Sequence, residues 1–277
     1  MVKFAFIVMY ELRSINKTIN ELYKNIINYY NADVIILCQE TFENDVNNID
    51  LFDKNVVYKR MYKKPCTKEY FSNIVHEHKS HHTWDSEFGL QIYINLKEMS
   101  KVMETYKNDY DYFISLRTDI EFLFPLPPEN IFEVAEKGIY SFDPDYCRFW
   151  GGWATGVFIH KDYIIDYLNC TYDVMSNNEL IQAFFLTKYT SQEQLINFAM
   201  RNKNLSFKFI KNLNLYFIAE TLKDRTTRHN PKIHPEYGVI CKYIKQCSEA
   251  NENLKLWNKG YRWIYENNEI FLKLNET

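Results

Sequence analysis

The chain has 277 residues but only seven glycines and seven prolines, so it contains no material for a flexible linker between two domains. Its net charge of -3 argues against a nucleic-acid-binding protein, because affinity for the phosphate backbone comes mainly from clustered Lys and Arg. Hydrophobic residues make up 46% of the chain, which is ample for a large core. We therefore expect a single domain over residues 1–277 that binds no nucleic acid.

The first residues include an apolar run, residues 3–10, that is short enough to pass for a signal peptide. Glu11 and Arg13 follow at once without a small-residue cleavage site, so a buried first strand is the better interpretation. No stretch reaches the roughly 20 apolar residues that a membrane-spanning helix needs. The six cysteines are scattered without the spacing of a metal site or a disulfide scaffold. These features predict a cytoplasmic protein with reduced thiols and no membrane span.

A βαβ unit is predicted over the first forty residues. Residues 3–10 lack a polar face, which is typical of a strand covered on both sides of a sheet. Residues 18–30 place apolar side chains on one helical face, with Thr18 or Asn16 as the N-cap. Residues 33–38 form a second apolar strand, so we expect the two strands to be parallel and the crossover right-handed.

The rest of the chain continues this alternation of strands and helices. Residues 44–84 are polar and basic, and are interpreted as loop and short helix with one strand at 55–62. The sequence predicts further helices at 87–106, 129–137, 162–169, 178–187 and 191–202, and further strands at 112–116, 138–143, 156–160, 206–210 and 214–219. The last two strands are expected to complete the sheet, and residues 241–273 to form a helical tail. The predicted fold class is α/β, with a mixed, mostly parallel sheet flanked by helices.

The glycine-rich loops that usually hold phosphate are missing from the sequence. The nearest candidate, residues 151–157, has the glycine spacing of a P-loop but lacks the Lys and Ser/Thr that reach the phosphates and magnesium. Neither Gly-x-Gly-x-x-Gly nor Gly-x-Ser-x-Gly occurs. If a nucleotide binds, a metal ion and side chains must therefore hold its phosphates.

The segment Arg117-Thr118-Asp119 directly follows the apolar strand 112–116. Residues two apart in an extended chain point to the same side, so Arg117 and Asp119 can face one ligand together. A carboxylate suits a divalent cation and a guanidinium suits phosphate oxygens, which together fit a metal-bound diphosphate. An exposed Arg/Asp pair at the end of a strand is an equally good interpretation of these residues alone.

Three segments of the chain resemble one enzyme family. They are the opening strand followed by Arg13-Ser14 and a Thr-led helix, the strand that ends in Cys38-Gln39, and the Tyr-Asp-Tyr-hydrophobic-Leu-Arg-Thr-Asp run that ends at Asp119. Together they are similar to the GT-A-type glycosyltransferases of giant DNA viruses and of some bacteria and plants. The similarity is strongest over residues 3–40 and 105–125.

The resemblance implies a GT-A (Rossmann-like) fold. Its nucleotide-sugar-binding half would span residues 1–125, its acceptor half residues 126–240, and a helical tail residues 241–277. A protein of the viral members' kind would work in the host cytoplasm.

The resemblance also implies a nucleotide-diphosphate sugar as donor, a glycan or glycoprotein as acceptor, and Mn²⁺ or Mg²⁺ as the metal ion. By position, Asp119 would bind the metal, while Val8, Tyr10 and Arg13 at the end of the first strand would meet the nucleotide. The family commonly has an Asp at the position of Arg117, which gives Asp-x-Asp. This chain therefore has one acidic ligand fewer than the commonest form of the site.

Many enzymes of this kind also present a late His or Asp to the metal and basic residues to the diphosphate. Residues 224–229 are the segment of this chain with that chemistry. Arg225 and Arg228 would contact the diphosphate, and His229 would bind the metal. A solvated basic loop is the better interpretation of the segment taken alone.

An inverting transfer needs a carboxylate that takes the proton from the acceptor hydroxyl. The candidates are Asp143 and Asp145, which follow a strand, and Glu193 at the start of a helix, although ordinary turn and helix-start chemistry also explains all three. Trp150 and Trp153 flank a Gly-Gly turn and would make a stacking platform for an acceptor sugar. Packing is the alternative explanation of these two rings.

The leading hypothesis is therefore a metal-assisted glycosyltransferase. A non-catalytic glycan-binding or virion-associated protein on a decayed transferase fold is the main alternative, and is consistent with the missing first Asp. A nucleotidyltransferase also joins a nucleotide phosphate to a metal at a strand end. Such enzymes normally carry a glycine-rich signature and paired carboxylates, which this sequence lacks.

Overall fold

A computed structural model describes residues 1–9, 12, 14–40, 43–63, 87–142, 156–187, 192–218 and 232–274. Within its helices, the side chains of residues 43–44, 87–91 and 192–193 lie outside the description. The described strands are β1 Phe4–Val8, β2 Asp33–Gln39, β3 Val56–Tyr62, β4 Tyr112–Leu116, β5 Ile120–Phe122, β6 Ile139–Phe142, β7 Gly156–His160, β8 Phe207–Ile210, β9 Leu215–Phe217, β10 Lys232–Ile233, β11 Ile240–Cys241, β12 Tyr261–Glu266 and β13 Glu269–Leu274.

The described helices alternate with these strands. They are α1 Ile15–Leu22, which continues as a π-helical turn over Tyr23–Ile27, α2 Glu43–Asn48, which continues as a 3-10 turn over Ile49–Leu51, α3 Glu87–Tyr106, α4 Glu129–Val134, α5 Ile164–Met175, α6 Asn178–Phe185, α7 Gln192–Asn202 and α8 Ile244–Asn258. No described helix is long and apolar enough to cross a membrane.

Nine of the strands form one sheet in the order β12-β13-β8-β6-β7-β4-β1-β2-β3. The pairs β1–β2, β2–β3, β1–β4, β6–β8 and β8–β13 are parallel, whereas β7 and β12 run against their neighbours. The sheet is therefore mixed but mostly parallel, as the sequence predicts. The predicted βαβ unit is also confirmed, because β1 and β2 are parallel neighbours joined through α1.

Helices cover both faces of this sheet, which explains why its central strand β1 is apolar throughout. All five residues of β1 are buried, with Phe6 and Val8 in the core cluster of one face and Ala5 and Ile7 in that of the other. The first cluster includes side chains of α1 and α4, and the second includes side chains of α3, α5, α6 and α7. A strand covered on both faces has no use for alternating polar residues.

The strand order reverses at β1. From β1 the chain passes through α1 to β2 and β3 on one side, and then through α3 on the opposite face to β4 on the other side. Doubly wound α/β sheets bind their ligands at such a reversal, outside the carboxyl ends of the strands. A ligand site is therefore expected at the neighbouring carboxyl ends of β1 and β4.

Two small sheets lie beside the main one. The pair β5–β9 is antiparallel and starts directly after β4, and the antiparallel pair β10–β11 joins it through a bridge between Ile218 and Cys241. The sequence predicted that a strand at 214–219 would complete the main sheet, and this was wrong. A run of three apolar residues predicts that a strand is buried. It does not indicate which other strand it pairs with.

The predicted helical tail over 241–273 is correct only in its first half, α8. Residues 261–274 instead form the hairpin β12–β13 at the edge of the main sheet. The turn is made by Asn267 and Asn268 with φ of 53° and 64°, a conformation that hairpins require and that Asn tolerates. Gly260, at φ 95°, follows the end of the helix. The Gly and the Asn pair were the local signals for this change of structure.

The first helix also begins earlier than expected. It starts at Ile15 with Ser14 as its N-cap residue at φ 52°, whereas the sequence pointed to Thr18 or Asn16 as the cap. The Thr18 hydroxyl instead donates to the carbonyls of Ser14 and Thr118. The sequence prediction assigned the N-cap to the wrong residue, because Thr18 hydrogen-bonds to Thr118, 100 residues away in the sequence.

Gly156 begins β7 at φ 141°, and a Cβ there would lie 1.7 Å from Leu116 Cδ2 at the end of β4. Leu116 is buried in the core and has little room to move. We expect Gly156→Ala to lower the free energy of unfolding by about 2 to 4 kcal/mol, as backbone strain and overpacking add. Urea denaturation measures this loss.

The matched control is Gly238→Ala. Gly238 also has a positive φ, 66°, but a Cβ there meets nothing within 4 Å. Only the conformational cost of about 1 kcal/mol should then appear. Equal losses in the two variants would contradict the importance of the contact with Leu116.

Candidate functional site

A cluster of three charged side chains lies where β4 ends. Arg117 follows β4, Asp119 precedes β5, and Lys242 follows β11. Asp119 has a side chain that is only 1% exposed. Arg117 donates to it through two nitrogens, Nε to Oδ1 at 2.9 Å and Nη2 to Oδ2 at 2.7 Å. The Nζ of Lys242 donates to the same Oδ2 atom. One buried carboxylate therefore holds two cations.

The two cationic neighbours set the charge state of Asp119. Burial by itself would raise the pKa of Asp119, but the positive charges and hydrogen bonds of Arg117 and Lys242 outweigh it and lower the pKa to about 2. The carboxylate is thus ionised at neutral pH between two cations.

The three side chains differ in their access to solvent. The side chain of Lys242 is 2% exposed, whereas that of Arg117 is 28% exposed. The guanidinium of Arg117 also lies over the ring of Phe217 on β9, 4.4 Å from its centroid. Its position is therefore set by the carboxylate on one side and the aromatic ring on another. Arg117 is therefore the most exposed of the three side chains.

Lys242 is placed by the small sheets and not by its neighbours in sequence. Its backbone N–H donates to the carbonyl of Phe217 at 3.0 Å, and the N–H of Phe217 donates to Oε1 of Gln246 on α8 at 3.0 Å. The backbone of Asp119 is held by the same strand, since its carbonyl accepts from the N–H of Ile218 at 3.0 Å. Strand β9 thus aligns Asp119 with Lys242, 123 residues away.

Sequence reasoning missed Lys242. It is one of many lysines in a Lys-rich chain and belongs to no recognisable motif. Its position beside Asp119 depends on the pairing of β9 with β5, which the sequence did not predict. The prediction of Arg117 and Asp119 facing one side of an extended segment is consistent with the observed geometry, although the two face each other directly.

A second polar network closes the carboxyl ends of β1, β2 and β3. Asn95 on α3 donates to the carbonyl of Met9 at 3.0 Å, just after β1. The Oδ1 atom of Asn95 accepts from Gln39 at the end of β2 and from Tyr62 at the end of β3. These side chains fix three strand ends relative to each other, which holds the edge beside the charged cluster rigid.

Asp45 on α2 orders the backbone that follows β1. Its side chain is buried and accepts from the N–H of Leu12 at 2.8 Å and from the N–H of Gln39 at 3.2 Å. On the other side, the Thr18 hydroxyl of α1 donates to the carbonyl of Thr118. The start of α1 is thereby tied to the segment between Arg117 and Asp119.

Of the site residues predicted from the sequence, the structure brings Val8, Arg117 and Asp119 to the carboxyl edge where β1 and β4 end. Val8 is buried at the end of β1 and packs in the core. The remaining predicted site residues lie outside the described residues: Tyr10, Arg13, Asp143, Asp145, Trp150, Trp153, Arg225, Arg228, His229 and the side chain of Glu193.

The described residues around Asp119 do not suit a divalent cation. Mg²⁺ and Mn²⁺ take carboxylate and carbonyl oxygens as ligands, and both oxygens of Asp119 already accept from cationic side chains. No group of three His, Cys, Asp or Glu side chains in the described part of the chain is placed to hold a metal ion. Metal binding by Asp119 stays a prediction from the resemblance.

The chain is an α/β protein whose mostly parallel sheet is compatible with a Rossmann-like fold, and its charged cluster lies at the edge where such sheets bind ligands. Compared with known proteins, the chain matches no family model, and no curated protein shows significant similarity to it. The proposal for its function therefore rests on the geometry of the site.

Removing Lys242 tests the buried ion pair. Lys242→Met leaves Asp119 with one cationic partner in a dry environment, and we expect the free energy of unfolding to fall by about 3 kcal/mol. The matched control is Lys273→Met, which breaks an ion pair with Glu266 whose side chains are 57% and 47% exposed. Its loss should stay below about 1 kcal/mol. Urea denaturation at neutral pH compares the two variants.

The lowered pKa of Asp119 predicts a pH dependence of stability. Because the folded pKa of about 2 lies below the unfolded value of 3.8, the stabilisation is complete above pH 3.8 and is lost as the pH falls through 2. The stability gap between the wild type and Asp119→Asn should therefore shrink by about 2 kcal/mol between pH 5 and pH 2.

Guanidinium chloride denaturation across this range measures the gap. Asp50→Asn is the control, because Asp50 is 85% exposed and its removal should cost little at any pH. A gap between wild type and Asp119→Asn that does not change with pH would show that Asp119 is not ionised between two cations.

Proposed function

We propose that the protein is a glycosyltransferase that takes a sugar from a nucleoside-diphosphate donor. The observation that carries the proposal is the position of the Arg117-Asp119-Lys242 cluster. It places a partly exposed guanidinium, held by a buried carboxylate, at the carboxyl end of β4, next to the reversal of strand order. An arginine at such an edge suits a diphosphate, because guanidinium N–H groups donate to phosphate oxygens.

The topology supports this proposal. The order β3-β2-β1-β4 is that of dinucleotide-binding sheets, in which the ligand lies across the ends of the first and fourth strands. The structure departs from glycine-rich phosphate-binding sheets in how it would hold the anion, since the sequence has no glycine-rich loop after β1. Side chains at the end of β4 would take over that task. This matches the resemblance to GT-A-type glycosyltransferases.

The chemistry of the transfer needs an electrophilic sugar carbon and a stabilised leaving group. The acceptor hydroxyl oxygen forms a bond to the anomeric carbon, and the bond from that carbon to the diphosphate oxygen breaks with its electron pair. The nucleoside diphosphate leaves with that additional negative charge, which Arg117 would stabilise in the field of Lys242. The hydroxyl proton passes to a base, for which Asp143, Asp145 and Glu193 remain the candidates from the sequence.

The candidate acceptor residues follow a strand that ends at the same edge of the sheet as β4. Strand β6 ends at Phe142 and β7 begins at Gly156, which pairs with Leu116 at the carboxyl end of β4. The chain between these two residues carries Asp143, Asp145, Trp150 and Trp153. Its attachment beside the charged cluster supports their proposed roles towards the acceptor glycan.

Donor turnover tests the proposal. Wild-type protein is incubated with UDP-, GDP-, CDP- and dTDP-sugars and a mixed glycan acceptor, and the released nucleoside diphosphate is measured. Arg117→Met should lower kcat/KM for the active donor by roughly 100-fold or more, since it removes a charge aimed at the leaving group. Arg117→Lys should retain part of the rate, because it keeps the charge but loses the fork geometry.

The control variant is Arg201→Met, which removes an exposed arginine from the last turn of α7. It should leave the rate unchanged. Release of pyrophosphate in place of the nucleoside diphosphate would indicate a nucleotidyltransferase. Glycan binding without release from any donor would favour the non-catalytic alternative.

A further inference from the structure

We propose that Cys241 and Cys247 are a redox pair that closes to a disulfide and thereby fixes the segment that carries Lys242. Cys241 ends β11, and Cys247 lies in the first turn of α8. The two thiols would form such a pair whether or not the protein transfers sugars. The sequence carries no signal for it, since the six cysteines are scattered without a recognisable spacing.

Packing brings these two thiols together and keeps the other described cysteines apart. Both are fully buried, and both belong to a small core cluster with Tyr216 and Ala250. Each thiol is a hydrogen-bonding partner of the other. The other two cysteines of the described residues, Cys38 and Cys170, lie in separate core clusters on opposite faces of the main sheet.

The backbone between the two thiols favours a short bridge. The N–H of Cys247 donates to the carbonyl of Tyr243 at 3.2 Å, so the chain turns back through one helical turn soon after β11 ends. Disulfides require side chains that point towards each other over a short distance. Two thiols that already interact across such a turn therefore need little backbone movement to bond.

A disulfide at this place would enclose a segment that anchors the charged cluster. Within that segment, Lys242 donates to the buried carboxylate of Asp119. Gln246 accepts from the N–H of Phe217 on β9 at 3.0 Å. A covalent ring over residues 241–247 restricts the unfolded chain and holds α8 to β11. The bond would therefore stabilise the packing that places Lys242 beside Asp119.

The two thiols are protected while the cluster is closed. Burial raises the pKa of Cys247 to about 12 and also raises the pKa of Cys241. Their mutual interaction opposes this rise at Cys241 and adds to it at Cys247, so Cys241 is the thiol that ionises first. Strand β10, which pairs with β11, has two residues with exposed side chains. Opening of this short ladder is the expected route for an oxidant.

The oxidant is a low-molecular-weight disulfide such as oxidised glutathione. The Cys241 thiolate attacks one of its sulfur atoms, which forms a mixed disulfide and releases one glutathione thiolate. The sulfur of Cys247 then attacks the sulfur of Cys241, and the mixed disulfide bond breaks with its electron pair on the second glutathione. The two protons lost by the protein end on the two glutathione molecules, whose disulfide has taken up two electrons.

Peptide mapping tests the pair on the full chain. The folded protein is equilibrated in buffers with an increasing ratio of oxidised to reduced glutathione, and the remaining thiols are trapped with N-ethylmaleimide during unfolding. We expect mass spectrometry to find a Cys241–Cys247 cross-link, about 2 Da lighter than the two thiols, while Cys38 and Cys170 are recovered as thiols. Recovery of all four as thiols, or a disulfide from either member of the pair to another cysteine, would overturn the proposal.

Thermal unfolding gives a second readout. The oxidised wild type should unfold roughly 3 to 8 °C above the reduced wild type, because the cross-link restricts the unfolded chain. Cys247→Ala and Cys241→Ala should each unfold at the same temperature in both buffers, whereas the control Cys170→Ala should keep the difference. Each variant is compared with itself, so a cost of the substitution does not affect the test. An oxidised wild type without added stability, or a pair variant that keeps the full shift, would contradict the disulfide.

Discussion

The buried carboxylate of Asp119 constrains the structure on which the site depends. An ionised carboxylate in a dry interior is costly unless it is paired and hydrogen-bonded, so its partners must be held in place by the fold. Arg117 is two residues from Asp119 in the sequence, but Lys242 is 123 residues away. The small sheets and α8 must therefore stay packed against the end of β4. The same ion pair links the C-terminal part of the chain to the end of β4.

The same constraint separates binding from support. The lysine and the carboxylate are buried, and the arginine is partly exposed. Around them, the Asn95 network fixes the ends of β1 to β3, and Asp45 orders the backbone after β1. Groups that are positioned before a ligand arrives need little reorganisation when charge develops, which is the condition for electrostatic catalysis. In the proposed transferase, the chemistry would depend on contacts that are mostly buried.

Most of the sheet could be predicted from the sequence, because its strands are continuous apolar runs between amphipathic helices. The parallel pair β1–β2 and the strand that ends at Leu116 were found in this way. The hairpin at 261–274 was missed because its aromatic and charged residues fit the periodicity of a helix as well as that of a strand. The Asn267-Asn268 pair, which is typical of a hairpin turn, was the local signal that distinguished the two. The strand after Leu213 was found, but its partner was wrong, since local pattern carries no information about pairing.

By itself, the sequence determined that an α/β sheet forms and that Arg117 and Asp119 share one side of the segment that leaves β4. Local periodicity and the two-residue repeat of an extended chain are sufficient for both conclusions. Only the tertiary structure decided what Asp119 faces. Its burial and its second cation, Lys242, come from packing between segments 123 residues apart. Whether a carboxylate is open to a metal or closed by cations depends on that packing, and no local pattern encodes it.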